Sequence, residues 1–382
     1  MGTDASMQLA MVAGETSGDL LAGLLLGGMR QRWPQLSSAG IGGPRMAEQG
    51  FDAWWPHDRL AVRGYVEVLR HYRAISAIRD ALAQRLLAAP PQVFIGVDAP
   101  DFNLGLERKL KAAGIKTIHF ICPSIWAWRG GRAKKMAASC DHVLCLFPFE
   151  PELLHRHGVA ATFVGHPLAD AIPLVPPRAA ARLALGLGDD EQVMAVLPGS
   201  RRSEIQYIAP VFLQAVALLA KQRPALRFLL PVVPGLRPWL QELAATHTPG
   251  VALQWLDGQS HSALAACDAT LIASGTATLE AALFKRPMVI GYRMHGLSWQ
   301  LMKRMRYQPW VGLPNILCRD FVVPELIQED CTPTALAAAT LQALDNTDRA
   351  AIIQQRFADL HHELRRDTAR CATDAIAQVI EG

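Results

Sequence analysis

Two short stretches of the chain combine small polar turns with a guanidinium or a carboxylate, a combination that suits a nucleoside diphosphate. In the first, the apolar run Met194–Leu197 is followed by Pro-Gly and then by Ser200 and Arg201, which open a predicted helix. Ser200 and Ser203 are both candidate N-caps. Backbone N–H groups at a helix start attract anions, and a planar guanidinium fits phosphate oxygens. The stretch therefore predicts a diphosphate site, although an ordinary strand–turn–helix with two solvated arginines explains the same residues.

The second stretch repeats this format further along the chain. Ala269–Ala273 is a predicted strand, Ser274, Gly275 and Thr276 form a small polar turn, and Glu280 lies early in the next helix. If the two strands are neighbours in one sheet, their turns form a crevice at the carboxyl ends, where open α/β sheets bind ligands. A carboxylate repels phosphate, so we expect Glu280 to bind a neutral diol such as a ribose. The alternative is an exposed glutamate favoured by the helix dipole.

A carboxylate of a different kind follows Val93–Val97, an apolar run typical of a central strand. Asp98 leaves that run directly, and a carboxylate at the end of a buried strand is costly unless it is paired or used in chemistry. We predict that Asp98 is a general base. For Asp101, capping of the following helix is the better interpretation.

A loop rich in tryptophan and positive charge follows the next predicted strand, Thr117–Cys122. Indole rings beside several cations suit an acidic amphiphile, whose phosphate the cations would hold and whose chain or sugar the rings would cover. The residues expected to bind it are Ser124, Trp126, Trp128, Arg129 and Arg132. The turn Gly14–Asp19, which contains Ser17, suits a glycine-lined floor for a sugar, although a plain tight turn fits equally well.

Strands alternate with helices along the whole chain, which predicts the α/β fold class. A length of 382 residues with 51% hydrophobic content suits two domains. The Pro-rich segment Pro173–Arg178 predicts a linker between a first domain, residues 1–172, and a second, residues 173–350. An amphipathic helix over Arg349–Gly382 is expected to pack back on the first domain, as a separate segment from residue 351 to 382.

Composition narrows the partners. A net charge of +4 without a long basic block does not call for a nucleic acid. Apolar runs shorter than a membrane span and an N-terminus without a signal-peptide pattern predict a cytosolic protein. The seven cysteines form no CxxC pair and no Cys/His cluster has ligand spacing, so we expect buried thiols and neither a metal nor a cofactor. Glu15 and Thr16 break the G-x-G-x-x-G pattern, which argues against NAD.

Two further segments suit contacts with a membrane or a second subunit, and one histidine suits the space between the domains. Val66–Arg79 is basic and amphipathic, which suits an anionic membrane surface, although a core-facing helix with a solvated basic side is the default interpretation. Arg293–Pro309 mixes Met, Trp and cations, which predicts either the subunit contact of a homodimer or a membrane-facing patch. His166 stands between Gly and Pro and is expected to point between the two domains.

A series of blocks, in order along nearly the whole chain, resembles the lipid-A-disaccharide synthase family. The blocks are Val12–Asp19, Gly42–Met46, Val97–Asn103, Pro123–Trp128, Leu197–Arg201, Ser274–Glu280 and Leu313–Asn315. The resemblance implies a GT-B architecture, in which two Rossmann-like doubly wound domains face a central cleft and the second binds the donor nucleotide. It also implies an inverting glycosyltransferase that joins UDP-2,3-diacylglucosamine to 2,3-diacylglucosamine 1-phosphate (lipid X). The products are UDP and the β-1,6 disaccharide precursor of lipid A.

By the same resemblance, Asp98 is the base, and Arg201, Glu280 and Asn315 contact UDP. Both substrates carry acyl chains, so the protein is expected to associate peripherally with the inner face of the cytoplasmic membrane. Two alternatives remain open. Another UDP-N-acetylglucosamine enzyme, either a 2-epimerase or the transferase that forms lipid II, would share the nucleotide half; the other alternative is a non-catalytic nucleotide-sugar-binding protein. The tryptophan loop and the position of Asp98 favour an acceptor that is a lipid sugar.

Overall fold

A computed structural model describes most of the chain. The described residues are 7–60, 65–125, 131–296, 299–300 and 308–382, and of residues 65–72 the helix alone is described. The chain divides into two compact units. The first comprises Met1–Asp170 together with Leu364–Gly382, and the second comprises Ala171–Glu363.

The first unit is built on a parallel sheet of seven strands. The strands are β1 (Gln8–Ala13), β2 (Ser37–Gly42), β3 (Asp52–Pro56), β4 (Val93–Val97), β5 (Lys116–Phe120), β6 (His142–Cys145) and β7 (Ala161–Phe163). Their order is β3-β2-β1-β4-β5-β6-β7, so the direction of winding reverses between β1 and β4. The connections after these two strands leave toward opposite sides of the sheet, and this point is where doubly wound sheets bind ligands.

Helices cover both faces of this sheet. They are α1 (Thr16–Arg32), α2 (Pro44–Ala47), α3 (Tyr65–Ala88), α4 (Pro100–Ala112), α5 (Gly131–Ser139), α6 (Glu150–His155) and α7 (Pro167–Ala171), with a 3₁₀ turn at His57–Arg59. One core lies beneath α1 and a second lies beneath α3 and α4. Strand β4 is buried along its whole length, as expected for an apolar strand with helices on both faces.

The second unit repeats the design with six parallel strands. The strands are β8 (Val193–Leu197), β9 (Arg227–Val232), β10 (Leu253–Asp257), β11 (Ala269–Ala273), β12 (Met288–Tyr292) and β13 (Glu325–Ile327). The helices are α8 (Arg178–Ala184), α9 (Arg202–Gln222), α10 (Arg237–His247), α11 (Ser260–Ala266), α12 (Thr276–Leu283), α13 (Leu313–Cys318), α14 (Pro333–Asp345) and α15 (Thr347–Leu364), with a 3₁₀ turn at Gln328–Asp330. In the order β10-β9-β8-β11-β12-β13, winding reverses between β8 and β11. The predicted α/β fold class, with two doubly wound sheets, is confirmed.

Helix α9 is long and apolar enough, by length and composition alone, to cross a membrane, which departs from the expectation that every apolar run is too short. Half of its apolar window is buried inside the protein. Ile208 and Phe212 are both 0% exposed and lie in the core above the second sheet. The apolar length of α9 is therefore accounted for by packing within the second unit.

The predicted C-terminal helix over Arg349–Gly382 is in fact two helices, α15 and α16 (Thr368–Glu381). The helix is interrupted just before Thr368, where Asp367 takes a left-handed conformation with φ 54°. The reason for the break is distant in sequence, because the Asp170 carboxylate accepts the N–H groups of Asp367 at 3.0 Å and Thr368 at 2.7 Å. A carboxylate at the first N–H groups of a helix is a stabilising cap. Helix α16 packs against α1, as predicted for the end of the chain.

Candidate active site

A cavity of about 410 Å³ opens at the carboxyl ends of β8 and β11. The two strands are neighbours that pair in parallel, with Leu197 opposite Ile272, so the condition for a shared crevice is met and their turns lie side by side. Of the residues predicted to bind the nucleotide sugar, those in the cavity wall are Ser200, Arg201, Ser274, Gly275, Thr276 and Glu280. The structure thus brings together all the predicted nucleotide-binding residues except Asn315.

The first turn presents a helix start and a cation to this cavity. Arg201, not Ser200 or Ser203, is the N-cap residue of α9, because its backbone is still extended at φ −113° and ψ 137°. Its side chain is 59% exposed, and its Nη1 lies 3.3 Å from Oε1 of Glu204. The N–H groups in the first turn of a helix have no acceptor within the helix, which makes this end of α9 attractive to an anion.

The second turn is held in place by its neighbours. Gly275 is the N-cap residue of α12 at φ 152°, a conformation that favours glycine, and the Ser274 hydroxyl donates to the Val311 carbonyl at 3.1 Å. Glu280, on the first turns of α12, lies 3.4 Å from Nε2 of His261. A hydrogen bond to the Glu280 carboxylate raises the pKa of His261, so the carboxylate and the imidazolium stabilise each other beside the cavity.

Asn315 lies outside this wall. It is completely buried, its amide donates to the Val323 carbonyl and to Glu325 Oε1 at 2.9 Å each, and its Oδ1 accepts the Val323 N–H at 3.0 Å. Glu325 also accepts the N–H groups of Val311 and Gly312 at 2.9 and 2.8 Å. In this arrangement the Asn315 carboxamide holds the segment between α13 and β13, while Glu325 holds the loop before α13. The contact of Asn315 with UDP stays a prediction.

In the first unit, Asp98 forms the turn after β4, at the switch point of the sheet. Its N–H donates to the Phe120 carbonyl of β5 at 2.9 Å, and its own carbonyl accepts the Asn103 side-chain amide at 2.8 Å. Asp98 and Ala99 both have left-handed backbones, with φ 50° and 42°. Such a conformation costs a residue other than glycine roughly 1–3 kcal/mol and is concentrated at functional sites. The local geometry therefore supports a functional role for this turn.

The segments expected to bind the acceptor lie at the carboxyl ends of neighbouring strands in the first sheet. Strands β1, β4 and β5 are neighbours, and the turns after β4 and β5 carry Asp98 and Ser124. Ser17, predicted in a turn, lies instead in the first turn of α1, which begins at Thr16. Ser17 and Ser124 are exposed. The glycine at position 14 permits a close approach, because a Cβ there would lie 3.1 Å from that of Ala99. Trp126, Trp128 and Arg129 lie outside the described residues.

Arg132 and Asp101 form an ion pair at the start of α4, with Nη2 and Oδ1 2.7 Å apart. The N-cap residue of α4 is Ala99, and no side chain accepts a hydrogen bond at that position. The prediction that Asp101 caps the helix is therefore wrong, because Asp101 lies inside the first turn and faces Arg132.

Sequence reasoning missed part of the cavity wall and the setting of one histidine. Val232 at the end of β9, Pro234 after it and Gly258 after β10 also line the cavity. The Pro-Gly pair that follows β9, like the one after β8, is the signal that could have indicated this part of the wall. His166 is buried, its Nδ1 accepts the Leu168 N–H, and burial lowers its pKa to about 4. Its expected position between the domains stays a prediction. In the described part of the chain, no group of three His, Cys, Asp or Glu side chains is placed to hold a metal ion.

Comparisons with known proteins agree on the family. A family model described as lipid-A-disaccharide synthetase matches residues 9–380. The lipid-A-disaccharide synthase of Albidiferax ferrireducens is 61% identical, in an alignment that covers 98% of each chain. The enzyme of that name from Verminephrobacter eiseniae is 58% identical over 98% of each chain, and the one from Paraburkholderia xenovorans is 55% identical over 98% of this chain and 97% of its own.

Solved structures show the same fold at low identity. UDP-GlcNAc 2-epimerase from Neisseria meningitidis, crystallised with UDP-GlcNAc, has a TM-score of 0.65 at 12% identity, over 98% of this chain and 100% of its own. MurG from Acinetobacter baumannii has a TM-score of 0.60 at 13% identity, over 97% and 99%. At such identities the likeness concerns the fold alone, and it confirms the GT-B class expected from the sequence.

Proposed function

The chain belongs to the lipid-A-disaccharide synthetase family, and we propose how its residues carry out the reaction of that family. The match to the family model over residues 9–380 carries the assignment. The reaction joins UDP-2,3-diacylglucosamine to lipid X and gives lipid A disaccharide 1-phosphate and UDP. The enzyme is thus a UDP-sugar-dependent glycosyltransferase. The epimerase and the lipid II-forming transferase, the two alternatives among enzymes, share only their fold with this chain.

The donor is held in the cavity between the turns after β8 and β11. The diphosphate lies at the starts of α9 and α12, beside Arg201, and the ribose hydroxyl groups bind Glu280. Three observations support this: the two helix starts line one cavity, Arg201 is a mostly exposed cation at its edge, and Glu280 is oriented by His261. As the bond to the sugar breaks, negative charge develops on UDP. A preorganised hydrogen-bond donor of the protein that stabilises such charge contributes about 10²–10³-fold in rate.

The acceptor binds at the turns after β1, β4 and β5. Asp98 removes the proton from the 6-hydroxyl of lipid X, and that oxygen attacks the anomeric carbon of the donor from the face opposite UDP. One C–O bond forms as the bond to UDP breaks, which inverts the configuration, and the proton remains on the Asp98 carboxyl group. The partly exposed position of Asp98 at the switch point and its left-handed backbone support this role.

The first test measures UDP release from the UDP-sugar and lipid X by the wild-type protein and by Asp98→Asn. General base catalysis contributes about 10²–10⁴-fold, so Asp98→Asn is expected to lose that much in kcat while its affinity for UDP stays unchanged. Asp101→Asn is the matched control, since Asp101 is a neighbouring carboxylate whose side chain is 85% exposed. Near-normal turnover in Asp98→Asn, or an equal loss in Asp101→Asn, would remove Asp98 from the mechanism.

Because both substrates carry acyl chains, we also propose that the first unit contacts an anionic membrane surface. A cleft of about 430 Å³ between α4 and α5 supports this, since Arg108, Arg132, Lys134 and Lys135 line it. The predicted helix over Val66–Arg79 is part of α3, but its side chains up to residue 72 lie outside the described residues. The membrane-facing or subunit-contact role of Arg293–Pro309, and with it the homodimer, stays a prediction, because much of that segment is not described.

Co-sedimentation with vesicles that contain phosphatidylglycerol tests this contact. A lysine near an anionic surface contributes about fivefold in binding, so changing both Lys134 and Lys135 to Gln is expected to weaken binding about 25-fold at low salt. Lys116→Gln is the control, because Lys116 is exposed at the opposite end of β5. Binding by the wild-type protein that salt does not reduce would contradict an electrostatic contact.

A further inference from the structure

A carboxyl group and an imidazole are buried together beneath the turn that carries Asp98. Glu107 on α4 and His119 on β5 have completely buried side chains, and Oε1 of the carboxyl group lies 2.7 Å from Nδ1 of the ring in a hydrogen bond. Burying an ionisable pair is unfavourable unless hydrogen bonds replace the lost hydration. Among the described residues, neither Glu107 Oε2 nor His119 Nε2 has a hydrogen-bond partner. Fold stability is therefore a poor explanation for the pair.

The sheet makes room for this pair at Gly96. Gly96 lies opposite His119 in the parallel register of β4 and β5. A Cβ on Gly96 would lie 2.1 Å from Glu107 Oε1 and 2.9 Å from Asn103 Cβ, so a larger residue would displace the carboxyl group. The Glu107 side chain is therefore packed directly on the β4 backbone, just before Asp98.

The pair joins the two elements that hold Asp98. On one side, the Asp98 N–H donates to the carbonyl of Phe120, the residue after His119 on β5. On the other side, the Asp98 carbonyl accepts the amide of Asn103, one turn before Glu107 on α4. The hydrogen bond between Glu107 and His119 fixes the spacing of α4 and β5, and with it the spacing of both groups that hold Asp98.

This support matters because the turn is not in a relaxed conformation. Asp98 and Ala99 are consecutive left-handed residues, at φ 50° and 42°, and such residues persist only where the surroundings over-determine them. A shift of α4 relative to β5 would weaken one of the two hydrogen bonds and let the turn relax. The Asp98 carboxylate would then move relative to a bound acceptor, and a misplacement of about 1 Å costs about 100-fold in rate.

We propose that Glu107 and His119 are positioning residues for glycosyl transfer, which act by fixing the left-handed turn that aims Asp98 at the acceptor hydroxyl. This inference rests on the proposed role of Asp98 as the base. The pair itself touches no substrate, and its effect belongs to kcat and not to the binding of the donor, whose cavity is built from the second unit.

The test compares wild type with a double variant, Glu107→Leu with His119→Leu. Replacing a buried ionisable pair by apolar residues of similar volume is often neutral or stabilising for the fold. The double variant is therefore expected to keep its thermal midpoint and its affinity for UDP, while kcat falls about 10- to 100-fold. His119→Asn, whose side-chain amide can take the place of Nδ1, is expected to retain more of kcat than His119→Leu.

Leu106→Ala is the matched control, because Leu106 is a fully buried apolar residue of the same helix. The positioning role is refuted if Leu106→Ala lowers kcat as much as the double variant does, or if the double variant keeps the wild-type kcat. If the double variant does not fold, Glu107→Gln takes its place, because glutamine keeps the side-chain volume and a hydrogen-bond acceptor. In that case the role is refuted if Glu107→Gln has the wild-type kcat and His119→Asn and His119→Leu have equal kcat values. A wild type that releases no UDP refutes the proposed function instead.

Discussion

Two adjacent arginines at the start of α9 allow the proposed diphosphate site to be tested with a change of identical charge. Arg201 lines the cavity, with its side chain 59% exposed, whereas the Arg202 guanidinium lies 5.0 Å from the centre of the Trp239 ring. Arg201→Ala and Arg202→Ala each remove one positive charge from the same helix start. If the cavity binds a diphosphate, only the first change removes a direct contact with it.

The size of the effect follows from the exposure of Arg201. A hydrogen bond to a charged group contributes about 1.5–3 kcal/mol, and solvent screening of a side chain that is 59% exposed reduces this to about 1–2 kcal/mol. The dissociation constant of UDP is then expected to rise about 5- to 30-fold in Arg201→Ala. The change also removes the partner of Glu204, whose carboxylate lies in the same wall and repels phosphate. Arg202→Ala acts through long-range charge alone, which salt screens over about 10 Å.

Isothermal titration with UDP and with UMP gives the measurement. Arg201→Ala is expected to lose more affinity for UDP than for UMP, because the terminal phosphate is the group that it would contact. Arg202→Ala is expected to change the two affinities little and equally. The placement of the diphosphate at this helix start would be refuted by unchanged UDP affinity in Arg201→Ala, or by equal losses in the two variants at moderate salt.

Three further predictions concern packing and protonation. In Gly96→Ala, the new methyl group would lie 2.1 Å from Glu107 Oε1, and the free energy of unfolding is expected to fall by about 1–3 kcal/mol; an unchanged thermal midpoint would contradict that packing. Burial lowers the pKa of His166 from 6.5 to about 4, so between about pH 7 and pH 5 the unfolded chain binds a proton that the folded protein does not. Stability should therefore fall by about 2 kcal/mol over that interval, and His166→Asn should remove this dependence; identical slopes in the two proteins would exclude the effect. The hydrogen bond to Glu280 raises the pKa of His261. UDP affinity should therefore decline as the pH rises through that pKa, because His261 loses its positive charge beside Glu280. Titrations with UDP on either side of neutrality would show this decline, and His261→Ala should flatten it.

The elements with local signals could be predicted closely from the sequence. The bounds of β4 and β11 agree with the apolar runs that end at Val97 and Ala273, because small polar turns follow both strands. The pairing of β8 with β11 was also predictable, since each is followed by a turn of the same kind. From these pairings follow the donor cavity and most of its predicted wall.

The features that were not predicted depend on residues far apart in the chain. The break before α16 is capped by Asp170, which no periodicity near Asp367 indicates. Glu107 has the sequence context of a solvated glutamate on an amphipathic helix, and only its contact with His119 shows otherwise. Asn315 belongs to a block shared with the family, and its sequence context does not reveal that its carboxamide is fully engaged inside the second unit.

The return of α16 to the first unit has a consequence for biosynthesis. Ala372 and Ile376 of α16 share a core with Leu25 and Met29 of α1, yet the ribosome makes them only after the entire second unit. While translation continues, the first unit holds an uncovered apolar strip along α1, whereas the second unit is continuous in sequence and can fold as soon as it emerges. We therefore expect the second unit to finish folding before the first. Until α16 is made and covers α1, the first unit is expected to depend on chaperones for protection from aggregation.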